Sequence, residues 1–179
     1  MNNYVVMARF DKETDIKIMS LWKQIADLGC SVSECPPHIT LAAYENFDEK
    51  LLCDYTSEFI AAQEDKIDVA FHSLSILPPG GEHSETAVLC LNPSHSKHFV
   101  DFYYKFHEKY EEYCTGIGWF NSIKHGSPVI HATLGIVLVK DLQKIMELVF
   151  CSEVFGKAEI TALEVYSYPC KFVRRFCFA

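Results

Sequence analysis

Two short segments of this chain place residues capable of acid–base chemistry at matching positions. Residues 38–41 and 131–134 both follow the pattern His-x-Thr-Leu, which the composition would produce only about 0.02 times by chance. In a β-strand, residues i and i+2 point to the same side. Each segment therefore presents an imidazole beside a hydroxyl, from His38 with Thr40 and from His131 with Thr133.

Two such pairs facing each other across a cleft would provide the groups that phosphodiester cleavage needs. A neutral histidine takes a proton from water and a protonated one gives a proton to the leaving oxygen, since the imidazole pKa lies near neutrality. The two threonine hydroxyls would hold the non-bridging phosphate oxygens, and no metal is required. The alternative is structural: both pairs are hydrogen-bonded within a sheet and do no chemistry.

The elements around these segments repeat along the chain. Apolar periodicity, capping residues and Gly/Pro turns predict the order strand, helix, strand, helix, strand in each half. The predicted strands are 4–10, 38–44, 67–77, 87–91, 129–139, 157–168 and 171–178, with a turn at 78–81. The predicted helices are 11–29, one from 48, an aromatic-striped one from about 94 to 113, and one around 142–149.

This order predicts an α+β fold in a single bilobal domain over 1–179, with approximate repeat halves 1–80 and 81–179. Each lobe is expected to be a small, mostly antiparallel sheet with two outer helices. A pseudo-two-fold axis would bring the two His-x-Thr-Leu segments face to face, with the active cleft between the lobes.

The chain resembles the two-histidine (2H) phosphoesterase superfamily, whose signature is two His-hydrophobic-Thr/Ser-hydrophobic motifs on a bilobal α+β fold. The resemblance implies that His38 and His131 are catalytic and that Thr40 and Thr133 contact phosphate; Ala132 is small for its hydrophobic position. It also implies hydrolysis of a 2′,3′-cyclic or 2′,5′ phosphodiester of a nucleotide or an RNA end. Two alternatives stay open: a non-catalytic module that binds phosphorylated nucleotides, and 2′,5′ RNA ligation.

A long loop precedes the second motif, and four of its residues are candidate substrate contacts. An aromatic side chain here can stack on a base, and a basic one can add positive charge near the phosphate. The alternative is that the aromatic residues pack onto the body of the protein. These candidates are Trp119, Phe120, Lys124 and His125.

Metal and cofactor sites are not expected. His95 and His98, with His83 and Cys90 nearby, lack zinc-ligand spacing. The segment Pro78–Gly81 does not precede a helix, so it is not a phosphate-binding loop.

Charge and cysteine content limit the partners. A formal net charge of −8 argues against gripping extended nucleic acid, which requires a basic surface. We therefore expect a small phosphodiester substrate, with the oligomeric state open. The start of the chain lacks a secretory signal, no apolar run is long enough to span a membrane, and the 8 cysteines are interpreted as buried reduced thiols of a cytoplasmic protein.

Overall fold

The computed structural model describes residues 2–78, 85–125 and 128–178 of the chain. Within them, α-helices and strands follow one another in the order β1 α1 β2 α2 β3 β4 α3 β5 α4 β6 β7. The strands are β1 Asn2–Phe10, β2 His38–Phe47, β3 Ile67–Leu77, β4 Thr86–Pro93, β5 Ala132–Leu138, β6 Gly156–Ser167 and β7 Lys171–Cys177. The α-helices are α1 Lys12–Asp27, α2 Glu49–Ala61, α3 Lys97–His107 and α4 Leu142–Phe150.

Three of these helices begin at a residue whose side chain accepts a hydrogen bond from the first turn. Asp11 caps α1, Asp48 caps α2 and Ser96 caps α3, and each cap satisfies a backbone N–H that has no partner within the helix. The longest helix, α1, has 16 residues. No helix in the described part of the chain combines the length and hydrophobicity needed to cross a membrane.

The strands form one antiparallel sheet in the order β2-β1-β6-β3-β4-β5, with β7 also beside β6. Strand β6 connects the strands of both halves into one sheet: one edge pairs with β1, and the other pairs first with β3 and then with β7. The end strands β2 and β5 contact each other without being hydrogen-bonded neighbours. The sheet is therefore curved enough to bring its two ends, and with them the two motifs, together. The predicted α+β class, with antiparallel strands and outer helices, is confirmed.

The edges of both end strands are covered. Ser31 forms a two-residue antiparallel bridge with Ile136 of β5, with N···O distances of 3.1 and 2.8 Å. A 3-10 helix, Gly116–Asn121, packs along β2. Its Gly118 lies so close to the strand that a Cβ atom there would be 1.9 Å from the carbonyl oxygen of Ala43.

The aromatic residues of the third helix form part of the core, as the periodicity predicts, but the helix is shorter than expected. Phe99, Phe102, Tyr103 and Phe106 are buried. Helix α3 ends at His107, and the chain turns at Tyr110, whose backbone is left-handed with φ 68°. This turn directs Tyr110 and Tyr113 against Phe47, with ring centroids 5.0 and 4.7 Å away, so the prediction of a continuous helix to 113 is wrong.

Strand β5 begins three residues later than predicted, at Ala132 rather than at 129. The carbonyl oxygens of Val129 and Ile130 accept hydrogen bonds from the side chains of His131 and Asn92. These two carbonyls are therefore engaged outside the sheet ladder. The predicted turn at 78–81 lies, apart from Pro78, outside the described residues.

Candidate active site

Three of the four motif histidines and threonines line a cleft of about 290 Å³, and His131 is not among its lining residues. His38 and Thr40 of β2 and Thr133 of β5 lie on its walls. Both threonines and both motif histidines are partly exposed, whereas Ile39, Leu41, Ala132 and Leu134 are buried. This is the alternation expected of strands with one face in the core. The remaining lining residues come from β1, the segment before β2, β5 and the β6–β7 turn: Val5, Met7, Val32, Ser33, Cys35, Gly135, Ile136, Tyr168 and Pro169.

The ring of His38 is oriented by its own preceding loop. Its Nδ1 lies 2.7 Å from the carbonyl oxygen of Pro36. Because a carbonyl oxygen can only accept, Nδ1 carries the hydrogen, and in the neutral ring Nε2 holds the lone pair. Burial lowers the pKa of His38 to about 4, with smaller contributions from the positive charges of Arg9 and His131. His38 is therefore neutral at physiological pH.

His131 is held in the same way. Its Nδ1 lies 2.7 Å from the carbonyl oxygen of Val129, also two residues earlier in the chain. Burial lowers its pKa, and the hydrogen bond to Val129 partly opposes this effect. The charge of His131 in turn lowers the pKa of His38.

Neighbouring elements hold the backbone of both motifs at equivalent points. The carbonyl oxygen just before His38, that of Pro37, accepts from Arg9 Nη1 at 2.8 Å. The one just before His131, that of Ile130, accepts from Asn92 Nδ2 at 3.2 Å. The carbonyls of the two motif threonines are likewise bound by side chains: that of Thr40 by Asn121 Nδ2 at 3.3 Å and that of Thr133 by Trp22 Nε1 at 3.1 Å.

A buried network behind β2 attaches the loop before the second motif to the first motif. His107 Nε2 donates to the carbonyl oxygen of Leu41 at 2.8 Å, and its Nδ1 lies 2.5 Å from Glu111 Oε2. The other oxygen of Glu111 accepts from the Ser122 hydroxyl and, at 3.0 Å, from the Lys124 backbone N–H. Burial raises the pKa of Glu111, but these hydrogen bonds and the charge of His107 outweigh it, so the pKa lies below its ordinary value.

The four loop candidates do not line the cleft described above. Trp119 and Phe120 are 50% and 66% exposed, and they belong to the 3-10 helix along β2. Trp119 also stacks on His125, with ring centroids 6.3 Å apart, while Lys124 is exposed. Their role in substrate binding stays a prediction.

If these residues contact bases beyond the cleft, Trp119→Ala should raise KM for short RNA and leave KM for mononucleotides unchanged.

One group of three side chains in the described residues converges as metal ligands would. His107, Glu111 and Cys114 place their donor atoms within 4.8 Å of one another, all buried. None of them lines the cleft, and His107 and Glu111 use their donors in the network above. His95 and His98, considered from the sequence, are exposed at the start of α3, and His83 lies outside the described residues.

The interpretation of all cysteines as buried reduced thiols is wrong. Cys35 and Cys170 form a disulfide across 135 residues of sequence. Two of the remaining cysteines, Cys151 and Cys177, are exposed. The disulfide joins the segment before β2 to the β6–β7 turn, and both regions contribute to the cleft wall through Cys35, Tyr168 and Pro169.

This arrangement of a curved antiparallel sheet, outer helices and a cleft between the end strands defines a known class of fold. The chain has the fold of the 2H phosphoesterase and 2′-5′ RNA ligase-like proteins, so the resemblance seen in the motifs is confirmed for the fold. No family model and no curated protein matches the chain in sequence.

The solved structures that this chain resembles align with it over almost the full length of both proteins. TT0787 of Thermus thermophilus has 12% identity over 98% of this chain and 97% of that chain, with a TM-score of 0.62. E. coli LigT complexed with 3′-AMP has 9% identity over 99% and 98%, with a TM-score of 0.58. Kluyveromyces marxianus Usb1 with uridine monophosphate has 11% identity over 98% and 97%, with a TM-score of 0.53.

Proposed function

We propose that this protein is a phosphoesterase that hydrolyses a 2′,3′-cyclic or 2′,5′ phosphodiester of a nucleotide or an RNA end without a metal. The observation that supports it is the matched pair of imidazoles. Each ring donates Nδ1–H to the carbonyl two residues earlier, at the same distance of 2.7 Å. Each therefore has Nε2 available for proton transfer at the meeting point of the two end strands.

The proposed chemistry divides between the two histidines and the two threonines. One neutral imidazole removes a proton from the attacking water, and the other, as imidazolium, protonates the leaving ribose oxygen. The hydroxyls of Thr40 and Thr133, both on the cleft wall, donate to the non-bridging oxygens. Two proton-transfer groups suffice for the whole reaction, so the mechanism needs no metal-bound water.

The charge of the cleft supports a diester substrate. Among the described residues that line it, none is lysine or arginine. Positive charge at the phosphate therefore comes from the protonated histidine, which matches the single negative charge of a phosphodiester. LigT and Usb1 have been solved with 3′-AMP and uridine monophosphate, which are nucleoside monophosphates, the kind of product that such a hydrolysis releases.

The test is turnover in the presence of a chelator. We expect the purified protein to convert 2′,3′-cyclic nucleotides, or short RNAs with a 2′,3′-cyclic end or a 2′,5′ linkage, to products with EDTA present. Chromatography of the products identifies which ester bond is cleaved. Activity that appears only after zinc or manganese is added would overturn the mechanism, and tight nucleotide binding without any product would favour the non-catalytic module.

The pH dependence follows from the two lowered histidine pKa values. Catalysis needs one neutral and one protonated imidazole, so kcat/KM should be bell-shaped. Both limbs should lie below the ordinary histidine pKa of about 6.5, because burial lowers the pKa of His38 to about 4 and also lowers that of His131. Below the first limb no base remains, and above the second no acid remains. The limbs belong to the pair rather than to single residues.

This prediction is checked by initial rates between about pH 3 and 9. A rate that rises continuously to the alkaline end would indicate attack by free or metal-bound hydroxide and would count against the pair.

A further inference from the structure

In both motifs, a side chain binds the carbonyl oxygen that precedes the histidine, but the two side chains differ in charge. Arg9 stands opposite His38 in the β1–β2 register and binds the Pro37 carbonyl at 2.8 Å. Asn92, at the end of β4, binds the corresponding Ile130 carbonyl at 3.2 Å. A guanidinium is charged at every pH of interest, whereas an amide is neutral. The first motif thus has a permanent cation beside it where the second has only a dipole.

Arg9 is fixed in this position by its own partners. It is 6% exposed. Its Nη2 donates to Asp15 Oδ2 of α1 at 2.7 Å, and its Nε is 3.4 Å from Glu164 Oε2 of β6. Glu164 also accepts from Arg175 Nη1 of β7 at 2.8 Å and from the Tyr166 hydroxyl at 2.7 Å. The guanidinium is therefore contacted by Pro37, Asp15 and Glu164.

We propose that Arg9 is a positioning residue that holds the loop orienting His38 and, through its charge, adds to burial in keeping that ring neutral, so that His38 is the general base and His131 the general acid. This assignment rests on the proposed function. The loop holds the ring because Pro36 accepts from His38 while the next carbonyl, that of Pro37, is bound by Arg9. The charge acts on the ring because a nearby cation disfavours the imidazolium.

The charged groups around His38 support this direction. Burial lowers the pKa of His38 most, and the hydrogen bond to Pro36 raises it. The charges of Arg9 and then His131 lower it further, and Glu164 opposes these charges less strongly. Asp15 and Arg175 complete the same cluster, on the far sides of Arg9 and Glu164. For His131, burial lowers the pKa and the Val129 hydrogen bond raises it.

The reaction then proceeds with a defined proton path. Nε2 of His38 takes a proton from water while the water oxygen forms a bond to phosphorus. The bond from phosphorus to the ribose oxygen breaks, and its electron pair stays on that oxygen, which receives a proton from Nε2 of His131. The product is a phosphomonoester with a free ribose hydroxyl. His38 ends protonated and His131 neutral, and exchange with solvent restores both.

A change of leaving group separates the two roles. We would compare a 2′,3′-cyclic nucleotide with thymidine 3′-(p-nitrophenyl phosphate), whose nitrophenolate leaves without needing a proton. His131→Ala should lose about 10²–10⁴-fold on the cyclic nucleotide but stay within about tenfold of the unmodified protein on the nitrophenyl ester. His38→Ala should lose activity on both substrates. The reverse pattern would overturn the assignment, and an unmodified protein inactive on both would defeat the proposed function instead.

The part played by Arg9 is measured directly by NMR titration of the histidine rings, which does not depend on turnover. In the unmodified protein, His38 should become protonated at lower pH than His131. Arg9→Lys should keep this order, because it keeps the charge, and Arg9→Gln should move the His38 titration to higher pH. Asn92→Ala is the matched control at the second motif and should leave His38 unchanged.

Two results would overturn the role of Arg9: a His131 ring that titrates below His38 in the unmodified protein, or a His38 titration that does not change in Arg9→Gln. If Arg9→Gln does not fold, the unmodified protein and Arg9→Lys still decide the matter. If the role of Arg9 were purely structural, the order of the two titrations would not depend on its charge. Arg9→Lys would then change the His38 titration, because it would disturb the loop.

Discussion

His38→Ala and His131→Ala should each lower kcat by about 10²–10⁴-fold on a 2′,3′-cyclic nucleotide, because each removes one proton transfer from the transition state. The double variant should lose far less than the product of the two single losses, since the pair works as a unit and a residual rate from binding remains. Single-turnover measurements on the three variants give these factors without interference from product release.

The controls separate catalysis from folding. Thr40→Ala and Thr133→Ala should each cost only about tenfold, since each removes one neutral hydrogen bond. His72→Ala, on the exposed face of β3, should be fully active. All these variants should melt near the unmodified protein, because the four motif side chains are partly exposed rather than buried in the core. Full activity in His38→Ala together with a large fall in melting temperature would mean that the histidine is structural.

The largest loss of stability should come from His107→Ala. The substitution leaves Glu111 buried without its His107 partner and removes the donor to the Leu41 carbonyl. Breaking a buried ion pair from one side costs about 3–5 kcal/mol, which for a domain of this size lowers the melting temperature by roughly 6–20 °C. Calorimetry at neutral pH measures the effect.

The matched control is His98→Ala, an exposed histidine in the first turn of the same helix. The pH dependence gives an independent check. The pKa of Glu111 lies below its ordinary value of 4.5, so its contribution to stability is present above that value and is lost as the pH falls through the folded-state pKa. The difference between the unmodified protein and His107→Ala should therefore shrink as the pH falls below 4.5. Equal destabilisation by both substitutions would refute the buried pair.

The elements and the class of fold are readable from the sequence because they depend on local signals. Capping residues such as Asp11 and Asp48, and the alternation around His38 and His131, act within a few residues. The end of α3 was not predictable in this way. The aromatic period continues through Tyr110 and Tyr113, and only the packing of Glu111 beneath His107 and of both tyrosines on Phe47 favours a turn there.

The side chains that bind the backbone of the two motifs were also not predicted, because they are distant from the motifs in sequence. Arg9 and Pro37 are 28 residues apart, Asn92 and Ile130 are 38 apart, and Trp22 and Thr133 are 111 apart. Nothing in the neighbourhood of Trp22 distinguishes an indole that binds a backbone carbonyl from one that only packs in a helix stripe. Likewise, the pairing of Cys35 with Cys170 requires the β6–β7 turn to lie beside the segment before β2, which a single sequence does not reveal.

The protection of the β2 and β5 strand edges has a consequence for how the protein associates at high concentration. An open strand edge is a template on which another chain can add a strand, and proteins that fail to protect such edges associate into aggregates. In the described parts of β2 and β5, the Gly116–Asn121 helix and the Ser31 bridge protect these positions. Gly118 lets that helix approach Ala43 closely. Any larger residue at 118 would clash with the Ala43 carbonyl oxygen, so it would push the 3-10 helix away from β2 and uncover the edge of that strand.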